Sequence, residues 1–235
     1  MPARPVAAPL WRWWWLLLGL TLLWDWGGAD LAVMRLIGDP GGFALREHWL
    51  LSRVLHDAVR QLAVGFYLLV WLWAVWPTGR WSPGPAALWR LPRRERLIVA
   101  LLVTLSLLAV NLIKNASQTS CPWDLQAFGG PAHYVSHWTL GTVDGGTGRC
   151  FPGGHASSAY AFLALGLPWL MPPAGTSRDR AAGWRWLGGL MVAGLVAGSV
   201  QTLRGAHYPS HTLWTLVICA GVSLAGWRVA QRWMA

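Results

Sequence analysis

The fold this sequence predicts is an all-α bundle of membrane-spanning helices, on three observations: apolar composition, sparse charge, and tryptophans gathered at the ends of apolar runs. Of 235 residues, 54% are hydrophobic and 12% charged, with a mean hydropathy of +0.38. That is too apolar for a water-soluble globule of this size. Tryptophan favours the boundary between hydrocarbon and headgroups, and many of the twenty sit at such boundaries: Trp11 to Trp15, Trp24, Trp26, Trp71 to Trp76, Trp169, Trp184, Trp186, Trp227 and Trp233. The formal charge of +10 raises the question of nucleic acid. The basic residues flank apolar segments instead of forming one patch with interleaved aromatics, so the partner they imply is a lipid bilayer.

Taken in order, Leu10 to Trp24 is the first apolar run. A cleaved secretory signal is the competing reading, but Asp25-Trp26-Gly27-Gly28-Ala29-Asp30 is a poor small-residue cleavage site, so a retained anchor is expected. Asp39-Pro40-Gly41-Gly42 marks a turn. From Phe43 to Asp57, apolar Leu45, Trp49 and Val54 alternate at helical spacing with Arg46, Glu47, Arg53, His56 and Asp57. That pattern predicts an amphipathic helix lying in the interface, suited to guiding a lipid headgroup sideways. His48 and His56 read most simply as solvated residues on its polar face, with a functional role for either as a minor option.

The second span runs from Ala58 to Trp76 and stops at Pro77. The Pro- and Gly-rich stretch 78–96 carries Arg80, Arg90, Arg93, Arg94 and Arg96, a density that marks the cytoplasmic side. Leu97 to Ile113 is the third span. A polar loop of about 40 residues then separates Lys114 from Gly154, long enough to imply a function or its own small structure. Ala156 to Met171, Trp186 to Thr202 and His211 to Trp227 complete six spans. Arginine is biased toward the side of the two termini, which are therefore expected in the cytoplasm.

Three cysteines make neither a disulfide framework nor a zinc pattern. Cys219 lies within an apolar run, as a small core residue does. Cys121 and Cys150 bracket the polar loop. In an oxidising compartment they can pair, which would restrict the unfolded chain by about 3 to 4 kcal/mol; two free thiols remain an equal alternative.

This topology brings Lys114, His155, Arg204, His207 and His211 to one membrane face. Ionisable groups at such depth are costly and are retained for a task. His155 follows Pro152-Gly153-Gly154 at the start of a span, where glycines allow close backbone approach and a helix N-terminus attracts an anion. Phosphate chemistry is the expectation.

These residues fall into three separated motifs, and in them the sequence resembles the type 2 phosphatidic acid phosphatase superfamily, whose helical fold is shared with vanadium haloperoxidases. The family's first motif is Lys, six residues, Arg-Pro; here it is Lys114, then Asn115 to Ser120, then Cys121-Pro122. The second, Pro-Ser-Gly-His, reads Pro152-Gly153-Gly154-His155. The third, Ser-Arg, five residues, His, three residues, Asp, reads Val200-Gln201, Thr202 to Ala206, His207, Tyr208-Pro209-Ser210, His211. Arginine is thus missing at positions 121 and 201, serine at 153 and the carboxylate at 211. Arg204, one helical turn from Gln201, and Arg149 are the candidate substitutes.

The resemblance implies a single integral membrane phosphatase domain over residues 1–235, with a motif-bearing core at 97–227, in a bacterial-type inner membrane with the site on the periplasmic face. It implies that His207 attacks phosphorus to form a phosphohistidine, and that His155 protonates the leaving oxygen and then activates water. Lys114, Arg204, Arg149 and the amides of Gly153 and Gly154 would hold the phosphoryl oxygens. His211 would accept a hydrogen bond from His207, with Asp144 or Asp124 assisting from the loop. No metal or other cofactor is required. The substrate is a lipid phosphate or diphosphate (isoprenyl diphosphate, lipid A or phosphatidyl-type), because the site reads phosphate while the tail lies in lipid. Two alternatives use the same residues: phosphate transfer between lipids, and a degenerate member that only binds lipid. A zinc site at His133 and His137 lacks a carboxylate pair nearby, and a haem site would need histidines facing each other at mid-membrane.

Overall fold

The computed structural model describes residues 7–77 and 90–234. Arg4 and the basic stretch around Arg80 lie outside the described residues. The protein is 69% helix, with no strand among the described residues. Among the described residues seven helices make up the bundle: α1 (Ala7–Trp26), α2 (Ala29–Ile37), α3 (Leu50–Val75), α4 (Arg93–Ala116), α5 (Ser157–Leu170), α6 (Arg180–Leu203) and α7 (Pro209–Met234).

Four of them, α3, α4, α6 and α7, are long and apolar enough to cross a bilayer, and α1 with α2 makes a fifth if the bent pair is one span. The chain is therefore a multi-pass membrane protein by length and composition. The six-span expectation does not find its full count, because α5 is apolar but shorter than a bilayer-crossing helix. Its middle, Ala161–Gly166, is 3₁₀-helical, so the helix is about 24 Å long against a hydrocarbon core of about 30 Å. Burial explains the shortfall. Tyr160 to Met171 is buried throughout, with α3, α4, α6 and α7 packed around α5, so this helix meets protein on every side and need not match the lipid.

The expected interfacial helix over 43–57 is not a separate element. Residues 44–47 form turns, and the helical part is continuous with α3, opening as a π-helix over Leu50–Ala58. The reason is legible in hindsight: no glycine or proline lies between Gly42 and Gly65, so nothing breaks the helix where the polar pattern ends. Phe43 is instead buried against Phe128, with ring centroids 4.8 Å apart. It belongs to a satellite core of Met34, Leu125, Phe128, Ala132 and Tyr208 that gives the 117–154 loop its own packing. The Asp39–Gly42 turn is present, closed by Gly42 N–H to Asp39 O at 2.8 Å.

One end of the bundle is closed by fixed cations. Arg96 donates to Trp73 O at 2.6 Å and Trp76 O at 2.8 Å, satisfying the last carbonyls of α3. Arg178 forks onto Glu95, with Nη2 to Oε1 at 2.7 Å, joining the α5–α6 connection to α4. The opposite end holds the candidate site.

Candidate active site

Lys114, His155 and His207 come from three distant stretches of chain and line a common cavity of about 440 Å³, together with His56, Arg60, Asn111, Gly154 and Gln201. Val64, Leu107 and Phe162 continue its wall toward the bundle interior. Lys114 is on the last turn of α4. A Cβ added to Gly154 would sit 3.7 Å from its Nζ, which places the ammonium directly over the turn that precedes α5.

The chain delivers His207 by a specific ending of α6. Gly205 has φ +75°; its N–H bonds Thr202 O at 2.9 Å, and Ala206 N–H bonds Gln201 O at 2.8 Å. This is the paired bonding of a Schellman motif. A Cβ at Gly205 would also come within 2.2 Å of the Phe43 ring, so glycine is required twice over. Two residues later His207 turns inward, 7% exposed. Pro209 then opens α7, where proline suits the first turn. Asp30 of α2 caps that turn from outside the helix: Ser210 N–H donates to Asp30 Oδ1 at 3.0 Å, and the Ser210 hydroxyl donates to the other carboxylate oxygen.

His211 lies one turn along α7 and is fully buried. Its Nδ1 is 3.4 Å from Nδ1 of His207. One nitrogen of that pair must carry the proton, and with the proton on His207 its Nε2 lone pair is left free as a nucleophile. Burial holds His207 well below the usual imidazole range, with Lys114 and His155 adding to the effect. His155 donates from Nε2 to Leu55 O at 3.1 Å and stacks on His56 at 4.5 Å. Burial lowers its pKa too, against the pull of the Leu55 carbonyl, and neighbouring His56, Arg204 and Arg60 lower it further.

The remaining expected site residues are placed differently. Gly153 donates its N–H to His211 O at 3.0 Å and accepts from Thr215 Oγ1 at 2.9 Å. Its amide is thus spent on docking the turn to α7 and does not reach the cavity. Arg204 lies off the cavity wall: its Nε donates to Arg46 O at 2.9 Å and its Nη1 to Gln201 Oε1 at 3.3 Å, which straps residues 43–47 over the site. Arg149 is exposed and is not among the cavity residues. The loop carboxylates offered as helpers are engaged elsewhere. Asp144 staples the loop by accepting from Ser120 N at 2.6 Å and Ser120 Oγ at 2.7 Å, and Asp124 accepts from Thr147 Oγ1 at 3.2 Å.

Cys121 and Cys150 are joined in a disulfide. Cys150 Sγ lies 3.3 Å from His207 Nδ1, so the bond forms part of the floor beneath the histidine. Cys121, Cys150 and His207 bring ligand-type atoms within 4.8 Å of one another, but joined sulfurs offer no thiolate to a metal. His133 and His137 do not converge: His133 faces Gln126, whereas His137 bonds Asp25 at 3.1 Å.

Sequence reasoning gave His56 only a minor functional option and missed Arg60, both of which line the cavity. The signal was available, since His56, Arg60, Val64 and Tyr67 are spaced by helical steps of four, four and three residues along α3, and Arg60 is a charge inside an expected span. No curated protein and no solved structure gave a match to the chain. A model of the PAP2 superfamily matches residues 95–235, more than half of the chain and all of the three motifs, and the protein belongs to that superfamily.

Proposed function

We propose that the protein is a membrane lipid phosphatase that removes phosphate from a lipid phosphate monoester or diphosphate through a phosphohistidine at His207. The observation that carries the reading is the single cavity shared by Lys114, His155 and His207, cationic at one end and apolar at the other. Membership of a superfamily of phosphatases supports hydrolysis of a phosphate ester. The apolar wall of Val64, Leu107 and Phe162 supports a lipid as the alcohol.

In this scheme His207 Nε2 forms a bond to phosphorus as the bond to the leaving oxygen breaks, and His155 gives that oxygen its proton. The proton on His207 Nδ1 is shared with His211, which takes up positive charge as the phosphohistidine forms. His155, now neutral, draws a proton from water, the hydroxide attacks phosphorus, and the bond to His207 breaks. Lys114 and Arg60 neutralise the phosphoryl oxygens while charge spreads over them. No metal takes part, and the site faces the periplasm of an inner membrane with both termini in the cytoplasm.

The test is phosphate release by purified protein on isoprenyl diphosphate, lipid A and phosphatidate. His207→Ala is expected to lose at least about a thousandfold in kcat, and a chelator is expected to leave the parent rate unchanged. Equal release from mutant and parent sinks the hydrolase; transfer to an added acceptor lipid in place of water identifies a phosphotransferase.

A further inference from the structure

We infer that Asp25 and His137 are positioning residues for the His207–His211 pair, supplying from α1 and the long loop the negative charge that the third motif lacks. The inference rests on the phosphatase reading above.

Asp25 lies in the last turn of α1, outside the residues that match the family. Three N–H donors converge on its Oδ2: His137 Nε2 at 3.1 Å, Trp138 Nε1 at 3.0 Å and Trp214 Nε1 at 2.7 Å. The His137 and Asp25 side chains are only 8% and 6% exposed. A buried carboxylate is costly unless it is paired and hydrogen-bonded, as Asp25 is by these three donors. The His137 ring lies flat on Phe151, 4.1 Å away with 6° between planes, so its donor to Asp25 cannot swing away. His211 lies beside this stack, 5.9 Å from His137 at 80°. Phe151 and Tyr208 wall the rest of His211, at 5.3 Å and 5.0 Å.

His211 is therefore an imidazole enclosed by aromatic rings, its Nδ1 on His207 and its Nε2 without a hydrogen-bond partner among the described residues. When His207 attacks phosphorus, positive charge arrives on this pair. Asp25 is the carboxylate behind His137. Trp214, three residues beyond His211 on α7, bonds the same oxygen, so Asp25 also fixes the rotation of the helix that presents His211.

Charged and titratable groups acting on His207 come from every side: Lys114 on α4, His155 before α5, His56 on α3 and His211 on α7. His137 on the long loop acts on His211, Asp30 of α2 holds the neighbouring Ser210, and Asp25 reaches the cluster through His137.

The experiment compares the full chain with Asp25→Asn, Asp25→Glu and His137→Gln in nanodiscs, measuring phosphate release from acid to neutral pH. Asp25→Asn is expected to lower kcat about tenfold with KM unchanged, and to move the acid limb set by His207 about one unit lower, because removing a nearby anion makes the pair harder to protonate. Asp25→Glu is expected to recover part of both effects. A loss of activity that follows thermal stability while the limb stays put assigns Asp25 a structural role only and overturns the inference. Histidine ¹⁵N NMR titration of parent and Asp25→Asn reads the same shift without turnover. A parent that hydrolyses no lipid phosphate ends the phosphatase reading but leaves this arm intact, and a His207 titration identical in both proteins overturns the positioning role.

Discussion

At His155 and His207 the same physical cause, burial, acts on two groups that the proposed reaction needs in opposite protonation states. His207 must be neutral to attack, and its pKa lies well below 6.5, so activity rises through a limb far on the acid side. His155 must be protonated to release the leaving group. Its pKa is also lowered, so the falling limb begins below 6.5 as well. The expected kcat/KM profile for the free protein is thus a bell centred on the acid side, falling about tenfold per pH unit toward neutrality. The kcat profile falls at higher pH, because bound phosphate beside His155 favours the imidazolium. His155→Gln is expected to flatten the alkaline limb; a parent rate that climbs through neutrality would reverse the assignment. Arg60 allows a second measurement. Arg60→Ala is expected to raise KM about tenfold, the lower range for a charge-assisted hydrogen bond, and an unchanged KM would remove Arg60 from the phosphate site. Lys114, His155 and His207 were legible in the sequence because motif spacing and span ends converge on them. Arg60 and Asp25 were not, because their roles depend on which face of α3 and which corner of α1 turn inward, and that is decided by tertiary packing.

The elements deliver these side chains through a few exacting turns, of which the end of α6 is the clearest. Gly205 combines a positive φ with a ring packed against its Cα. Gly205→Ala is expected to cost about 1 to 2 kcal/mol from backbone strain alone, and more because Phe43 must move. A drop in unfolding midpoint together with a fall in kcat would match, since His207 follows two residues later. Retention of both would show that the turn tolerates a side chain. The helices themselves were readable where glycine and proline punctuate apolar runs, as at Pro77 and Pro172. They were misread where the pattern changes without a breaker, as between Asp57 and Val59, and where a helix is shielded from lipid, as in α5. The α1–α2 corner was invisible as a structural device. Gly28, with φ +60°, lies at a bend of 71° that brings Asp30 to Ser210 in the first turn of α7 and Asp25 to Trp214 in the second.

The molecule as a whole is polarised. One end carries Arg94, Arg96, Arg178 and Arg232 close to helix termini; the other carries the cavity, the long loop and the disulfide between Cys121 and Cys150. Arginine excess belongs on the cytoplasmic side and a structural disulfide in an oxidising compartment, and both support the proposed orientation with the cavity outward. Closing the loop between residues 29 apart in sequence restricts the unfolded chain by about 3 to 4 kcal/mol, and the bonded sulfur of Cys150 rests against His207. In intact spheroplasts a membrane-impermeant maleimide is therefore expected to label Cys121 and Cys150 only after an impermeant reductant has been added. Cys219, buried in α7, should stay unlabelled in the folded protein. The same reductant should lower the unfolding midpoint and the rate of phosphate release together, because it frees the loop and the floor of the site at once. Labelling without reductant would show free thiols. Labelling that requires the membrane to be opened would place the cavity in the cytoplasm, and the proposed orientation would fall even if His207 remained essential.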